Sequence, residues 1–468
     1  MVNKAKRYFF CGIGGSGMLP LALILKGKGA MVAGSDRALD QGRTPEKFDY
    51  LRALGVDLFP QNGSGLVSGE QTLVASAAVE DTVPDVAAAN RVGAPRLSRA
   101  QLLATLFNDA PFSVAVGGTS GKSTVTAMTG WIYADASEDP TIMNGAVMKN
   151  FVTDKALFAS ARVGRGPSFI SEVDESDGSI ALFAPTVAVL NNISLDHKSM
   201  DELRALFGEF VGKAETAVIN RDDAEAAALT AAVNGRVLSH SLTDAAADFH
   251  AGEITPEPFG VSFTAHGPEG ARARVALTMP GRHNVSNALA ALCAAHAGGI
   301  ALADAAASLS RFEGVKRRFE LVGAANGVTV IDDFGHNPDK IAATLRTLHD
   351  FPGRLLIMFQ PHGFGPLKKM KQEFIDCFSH HLKPDDHLLM PQPVYYGGTV
   401  DRAVTSKDIA AGVRAAGRNA QAFETRDDCG AKLLDLARDG DRIIVMGARD
   451  DTLSEFAAGL VASLRQQG

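Results

Sequence analysis

Cysteine is scarce in this chain: four in 468 residues (Cys11, Cys293, Cys377 and Cys429), with no Cys-x-x-Cys pair. That spacing excludes a zinc knuckle and a disulfide framework, and points to a reducing, cytoplasmic setting. No uncharged run of about 20 residues occurs. Met1-Val2-Asn3-Lys4-Ala5-Lys6 leads straight into the strand-like Tyr8-Phe9-Phe10, without an apolar signal core. Neither a membrane span nor a secretory leader is expected. Positive charge is not in excess either, with 46 Lys+Arg against 53 Asp+Glu and a net charge of -7. Nonspecific nucleic-acid or anionic-membrane binding is therefore disfavoured, while a local pocket for phosphates stays open. There is no repeat with a period of about 20–50 residues, no low-complexity tract and no charge block. What is present is apolar material, 46% against 21% charged, enough for several packed cores. At roughly 150 residues per domain the length predicts about three domains, and the composition excludes a disordered or collagen-like chain.

The texture divides accordingly into 1–110, 111–313 and 314–468. In the first part, Arg7–Cys11 reads as a strand, Met18–Lys26 as a helix and Ala30–Gly34 as a second strand. A helix near Pro45–Leu54, a strand at Thr72–Ala77 and a helix capped by Ser98 follow. Such alternation predicts a parallel sheet with helices on its faces. The second part opens on the apolar strand Phe112–Val116, with further strands at Phe169–Val173, Thr186–Asn191 and Thr216–Ile219. Between about 248 and 279 the pattern alternates, as in Gly260–Thr264 and Ala273–Leu277, predicting a small antiparallel ribbon. Helices are expected over Val285–His296 and Ala301–Leu309. The apolar runs Val328–Ile331, Leu355–Phe359, His387–Met390 and Ile443–Met446 predict another open α/β sheet in the third part.

Two glycine loops carry the chemistry. Gly12-Ile13-Gly14-Gly15-Ser16-Gly17 lies between a strand and a helix, with Asp36 ending the next strand. The pattern suits a diphosphate at a helix N-terminus and an acid on a ribose. Any nucleoside diphosphate satisfies it, a UDP-sugar as well as a dinucleotide, and a tight structural turn is the plainer alternative. Gly117-Gly118-Thr119-Ser120-Gly121-Lys122-Ser123-Thr124 follows a strand and enters the helical Val125–Trp131. It matches a P-loop shortened by one residue, with amides to cradle phosphates, a lysine to neutralise them and a hydroxyl for a metal. Together the loops suggest that ATP drives a reaction on a substrate carrying a nucleoside diphosphate. A simple dehydrogenase has no use for the second loop.

A carboxylate cluster, Ser171-Glu172-Val173-Asp174-Glu175-Ser176-Asp177, and Asn191-Asn192-Ile193-Ser194-Leu195-Asp196-His197 each end an apolar strand, where open α/β sheets bind ligands. Hard oxygens and one imidazole beside a triphosphate are plausible Mg²⁺ chemistry; a solvated acidic loop is the alternative. Gly281–Asn287 opens a helix with polar groups suited to a base or ribose. Lys316-Arg317-Arg318 offers cations for a transferring phosphoryl group or simply a basic turn, and Ile331–Pro338 ends another strand with Asp332, Asp333 and His336.

In order, GIGGSGM, GSD, GGTSGKST, EVDESD, NNISLDH, GRHNVSNALAA, GVKRRFE and DDFGHNP cover nearly the whole chain. The set resembles the Mur ligase family, the ATP-dependent amide-forming enzymes of peptidoglycan precursor synthesis. It is most similar to the branch that joins L-alanine, or a whole murein tripeptide, to UDP-N-acetylmuramate. The resemblance implies a Rossmann-like N-terminal domain for the UDP-sugar, a central P-loop ATPase-like domain and a C-terminal Rossmann-like domain for the acceptor. It implies an acyl-phosphate mechanism with ATP and Mg²⁺. Gly14, Gly15, Ser16, Gly17, Met18, Ser35, Asp36 and Ser76 would bind the UDP-sugar. Gly118, Thr119, Gly121, Lys122, Ser123, Thr124, His283, Asn287, Arg318 and Asp333 would hold ATP. Ser123, Glu172 and His197 would hold the metal; Lys122, Glu172, His197 and Arg318 would be catalytic, and His336 and His362 would face the acceptor. Partners would be a UDP-sugar acid and an amino acid or peptide, on a monomer or homodimer. The chain departs from the branch in four places: Ser120 replaces a histidine, Ser123 a threonine and Phe334 a common tyrosine. Gln360-Pro361-His362 is followed by Gly363–Lys368 rather than by an arginine-bearing segment. Ser199–Gly212 holds no lysine, so no carbamylated lysine is expected. An oxidoreductase using the first loop, or a UDP-sugar sensor without turnover, are the alternatives.

Overall fold

The structure, a computed structural model, describes residues 6–76, 79–195, 198–394, 401–448, 450 and 452–466. It holds three β-sheets, each flanked by helices. The first is parallel throughout, with strands in the spatial order Asp57–Phe59, Met31–Ser35, Arg7–Cys11, Gln71–Ala75 and Arg96–Ser98. Phe9, Phe10, Leu73 and Val74 have no exposed surface, because parallel strands are covered on both faces. Ser98 caps the helix Arg99–Asn108 through a reciprocal capping box with Gln101, as the sequence predicts.

The second sheet has ten strands. Its middle is parallel: Thr216–Asn220, Val187–Leu190, Phe112–Gly117 and Ser168–Glu172 run side by side. One end is the expected ribbon, Phe249–Glu257, Gly260–His266 and Arg272–Leu277, joined by connections too short for anything but antiparallel neighbours. The third sheet is ordered Glu320–Ala325, Val328–Asp333, Arg442–Gly447, Leu355–Gln360, His387–Met390 and Asn419–Ala422, with only the first pair antiparallel. Strands beyond the sequence expectations include short edges such as Asp57–Phe59 and Arg96–Ser98, too brief to establish a period, and the six-residue Arg236–Ser241 and Glu320–Ala325.

The chain forms two compact units. One is the chain up to Ile254 with Ser262–Leu277 and Asn284–Val315; the other is Thr255–Val261, Thr278–His283 and everything from Lys316 onward. The first two sheets share the first unit because one apolar cluster joins them. Phe107, on the capped helix, packs its ring 5.6 Å from Phe169 and 5.3 Å from Phe183 of the second sheet's layer. Among the described residues all four cysteines are free and buried, and no helix is long and apolar enough to cross a membrane.

His240, on Arg236–Ser241, is fully buried, and neither ring nitrogen has a partner among the described residues. Burial pulls its pKa down to about 4, partly opposed by the charge of Asp222. The unfolded chain therefore takes up a proton near pH 6.5 that the folded chain refuses. Stability should fall between about pH 6.5 and 4, by up to about 3 kcal/mol from this residue. Urea midpoints at pH 7 and pH 5 check this: His240→Leu should flatten the slope, and an unchanged slope would contradict it.

Candidate active site

The first glycine turn sits at the C-terminal edge of the first sheet. The N–H groups of Gly12 and Ile13 bond the carbonyl of Ser35, and those of Met18 and Leu19 bond Gly15, so strand passes into helix within one tight turn. Gly12 has φ +82°, a backbone that costs glycine little. Asp36 accepts from the Gly14 N–H and the Ala38 N–H, both at 2.8 Å, so its carboxylate anchors the turn and caps the next helix. The Ser35 hydroxyl is likewise committed, to the buried Asp85, which also takes the Gly63 N–H at 2.9 Å. Gly15 and Ser16 are exposed, Met18 is buried under the turn, and Ser76 follows the next strand on the same edge. Two cations that the motif did not reveal lie here. Lys47 donates to the Gly14 carbonyl at 3.3 Å, and the Arg99 side chain lies across Gly17, 3.0 Å from where a Cβ would stand. Their spacing from the glycines carries no signal; only the fold brings them in.

The second loop is braced from behind by asparagines. The Ser120 N–H donates to Asn192 Oδ1 at 2.8 Å, and Asn191 and Asn192 each donate to the Ser120 carbonyl at 3.0 Å. Asn191 also reaches Asn287 Oδ1 at 3.1 Å, and the Thr119 hydroxyl is tied to the backbone of Ser194. Gly121, at φ +85°, leaves no room for a side chain: a Cβ would stand 2.5 Å from Asn191 Nδ2 and 2.6 Å from Asn287 Oδ1. Asn287, expected beside a base, thus holds the loop. Thr124 is buried in the helix Lys122–Asp135 that leaves it.

Glu172, the last residue of its strand, accepts the Ser123 hydroxyl at 2.7 Å, so two of the three expected metal ligands touch. Serine and carboxylate oxygens are the hard donors Mg²⁺ prefers, and they fit as a partial set. Their companion His197, with Asp196, lies outside the described residues; among the described residues no three His, Cys, Asp or Glu side chains converge on one point. Lys122 Nζ donates to Glu175 at 2.8 Å and to the Gly118 carbonyl at 2.6 Å. Burial opposes ionisation of Asp174, but hydrogen bonds from Ser176 and the charges of Lys122 and Arg99 outweigh it and hold the carboxyl below its ordinary range. Arg99 also stands 3.9 Å from Asp177, so it lies between the first glycine turn and the strand-end carboxylate cluster.

In the second unit the tandem arginines part company. Arg317 is buried against Asp332 at 3.4 Å and donates to the carbonyls of Gly447 and Asp450 at 2.6 and 3.0 Å. Arg318 is half-buried, its guanidinium 4.3 Å above the Phe334 ring. The turn that presents it has left-handed backbone at Arg317 (φ +60°) and Phe319 (φ +53°), a strained pair. Asp333, expected at the nucleotide, pins that turn: it accepts from the N–H groups of Phe319 and Gly335 and from the Thr344 hydroxyl, at 3.0, 3.1 and 2.8 Å. His336 lies between Phe334 and His362, its ring edge-on to each at 5.5 and 5.3 Å. Burial pulls its pKa to about 3, so the ring is neutral. Its Nδ1 faces the Phe334 carbonyl at 3.0 Å, which accepts, so the proton sits on Nδ1 and Nε2 is left as acceptor. His283 is exposed on this unit, whereas Asn287 belongs to the first.

Three family descriptions match the chain: "Mur ligase family, catalytic domain" over residues 7–110, "Mur ligase middle domain" over 116–295 and "Mur ligase, glutamate ligase domain" over 317–449. A UDP-N-acetylmuramate–L-alanine ligase of Geotalea daltonii is 34% identical, covering 100% of both chains. One of Nitratidesulfovibrio vulgaris is 35% identical, over 96% of this chain and 97% of its own. Among solved structures, the UDP-N-acetylmuramate-alanine ligase of Thermotoga maritima superimposes with a TM-score of 0.79 at 23% identity, covering 99% of this chain and 100% of its own. A murein peptide ligase of Psychrobacter arcticus does so with 0.72 at 25% identity, covering 98% and 99%.

Proposed function

The chain belongs to the Mur ligase family, and on that footing we propose that it joins L-alanine to the carboxylate of UDP-N-acetylmuramate, with ATP cleaved to ADP and phosphate. It is an ATP-dependent amide-bond ligase of peptidoglycan precursor synthesis. The observation that carries the site reading is the braced central loop, with Lys122 and Ser123 each in contact with a glutamate of the strand-end cluster.

In this reading the Gly14–Met18 turn, with Arg99 and Lys47 beside it, holds the nucleoside diphosphate and leaves the sugar acid directed at the central loop. Lys122 and the loop amides grip the triphosphate. An oxygen of the sugar carboxylate attacks the γ-phosphorus and the bond to ADP breaks, giving an acyl phosphate. Arg318, steadied on Phe334, would balance charge on the transferring oxygens, as the family resemblance implies. The amine then attacks the acyl carbon, phosphate departs, and the ammonium proton is lost. Neutral His336, with Nε2 as acceptor, suits a hydrogen bond from that amine. A bound Mg²⁺ would rest on Ser123 and Glu172, with His197 as the resemblance implies, and would neutralise phosphate charge. The chemistry needs positioning and dryness more than an unusual side chain.

A second reading, a murein peptide as acceptor, is supported by the segment after His362. Gly363 leads into the short helix Phe364–Lys369, whose sequence carries no arginine; its Lys368 is paired with Asp401, and the Arg402 guanidinium lies 5.6 Å from the Phe364 ring. Phosphate release from ATP, assayed with UDP-N-acetylmuramate and a panel of amines, separates the readings. Turnover should require both the sugar acid and an amine, with L-alanine best. Turnover only with peptides would favour the second reading, and none with any amine would defeat both.

A further inference from the structure

Resting on the reading of the central loop as an ATP site, we propose that Glu175 is a positioning residue that keeps Lys122 in reserve, so that nucleotide gains the lysine only by displacing this carboxylate. The lysine is folded back on its own loop, two of its three N–H bonds committed to Glu175 and to the Gly118 carbonyl. The pair is well shielded: the Glu175 side chain is 5% exposed and that of Lys122 20%. Removed from water, such opposite charges hold one another more strongly than a surface pair, and neither is readily replaced by solvent.

The two glutamates of the cluster divide the work. Glu172 takes the Ser123 hydroxyl, at the point where the metal is expected, while Glu175, three residues further along and past the end of the strand, takes the ammonium. A triphosphate in the loop requires the same ammonium, so two anions compete for one cation. Nucleotide affinity is lowered by that competition, and the lysine returns to Glu175 when the nucleotide leaves. The empty loop thereby discriminates against weakly charged anions that cannot win the exchange.

Glu175→Gln keeps the shape and removes the charge. In the free protein, trace acylation read by mass spectrometry should find Lys122 several-fold more reactive in this variant. Metal-free ATP should bind about 10-fold more tightly, within the range of pairwise couplings between contacting residues. In a Lys122→Met background the same change should alter affinity by less than about 2-fold. Glu175→Asp, which only withdraws the carboxylate, should give a smaller gain of the same sign. An equal gain with and without Lys122 would mean that the carboxylate acts by charge alone, and would overturn the proposal. So would weaker binding in Glu175→Gln, or Lys122 reactivity unchanged by it. Failure of the unaltered protein to bind ATP at all would instead remove the ATP reading, while the acylation result would still report on the ion pair.

Discussion

Replacing Lys122 with alanine is expected to slow phosphate release by about 10³-fold while changing UDP-sugar affinity by no more than about 2-fold. The first figure follows from the loss of the ammonium that balances the γ-phosphate where charge develops and water is excluded. The second follows from position. The Gly14–Met18 turn follows a strand of the first sheet, and Lys122 opens a helix that follows a strand of the second. Steady-state phosphate release and calorimetric titration with the UDP-sugar read the two effects separately. Alanine also strands Glu175, a buried carboxylate, so part of any lost activity could come from lost stability. The double variant Lys122→Ala/Glu175→Gln resolves this, since it should recover the melting temperature but not the rate. Equal loss of sugar binding and turnover in a folded protein would defeat the assignment of separate ligands to the two loops.

Arg317→Met and Arg318→Met should differ sharply although the residues are adjacent. Loss of Arg317 removes the counter-charge of Asp332, which is wholly buried, and strands the carbonyls of Gly447 and Asp450. We expect the second unit to lose about 3 kcal/mol. Burial already raises the Asp332 pKa to about 6 against the pull of Arg317, so without the arginine it rises further. A carboxyl raised in the folded state costs stability as pH climbs past its unfolded value. The Arg317→Met defect should therefore be larger at pH 8 than at pH 5, as denaturant melts will show. Arg318→Met should leave stability within about 0.5 kcal/mol and lower turnover about 100-fold. Comparable melting defects for both would mean that Arg318 is also part of the fold.

The two glycine loops were legible because each strand–turn–helix passage is local: apolar run, glycines and helix lie within about 20 residues. The same holds for Ser98, whose capping box is built within four residues. Asn287 and Asp333 show the limit. Their residue types suit a nucleotide as well as they suit a turn, and the sequence does not disclose the protein partners they hold. Asn287 meets Asn191 behind the loop, and Asp333 collects the donors of Phe319, Gly335 and Thr344. Arg99 and Lys47 carried no local signal, because a lone cation on a helix is ordinary until a fold lays it across a glycine.

By itself, then, the order of residues determined the α/β alternation, the placing of both glycine turns at strand ends and the family, since these depend on periodicity and on short-range spacing. Tertiary structure alone decided which of two neighbouring arginines is buried, which glutamate takes the lysine and which the serine, and that two sheets share one core. Those outcomes depend on contacts between segments tens to hundreds of residues apart, where the energy of a side chain is set by what surrounds it rather than by what precedes it.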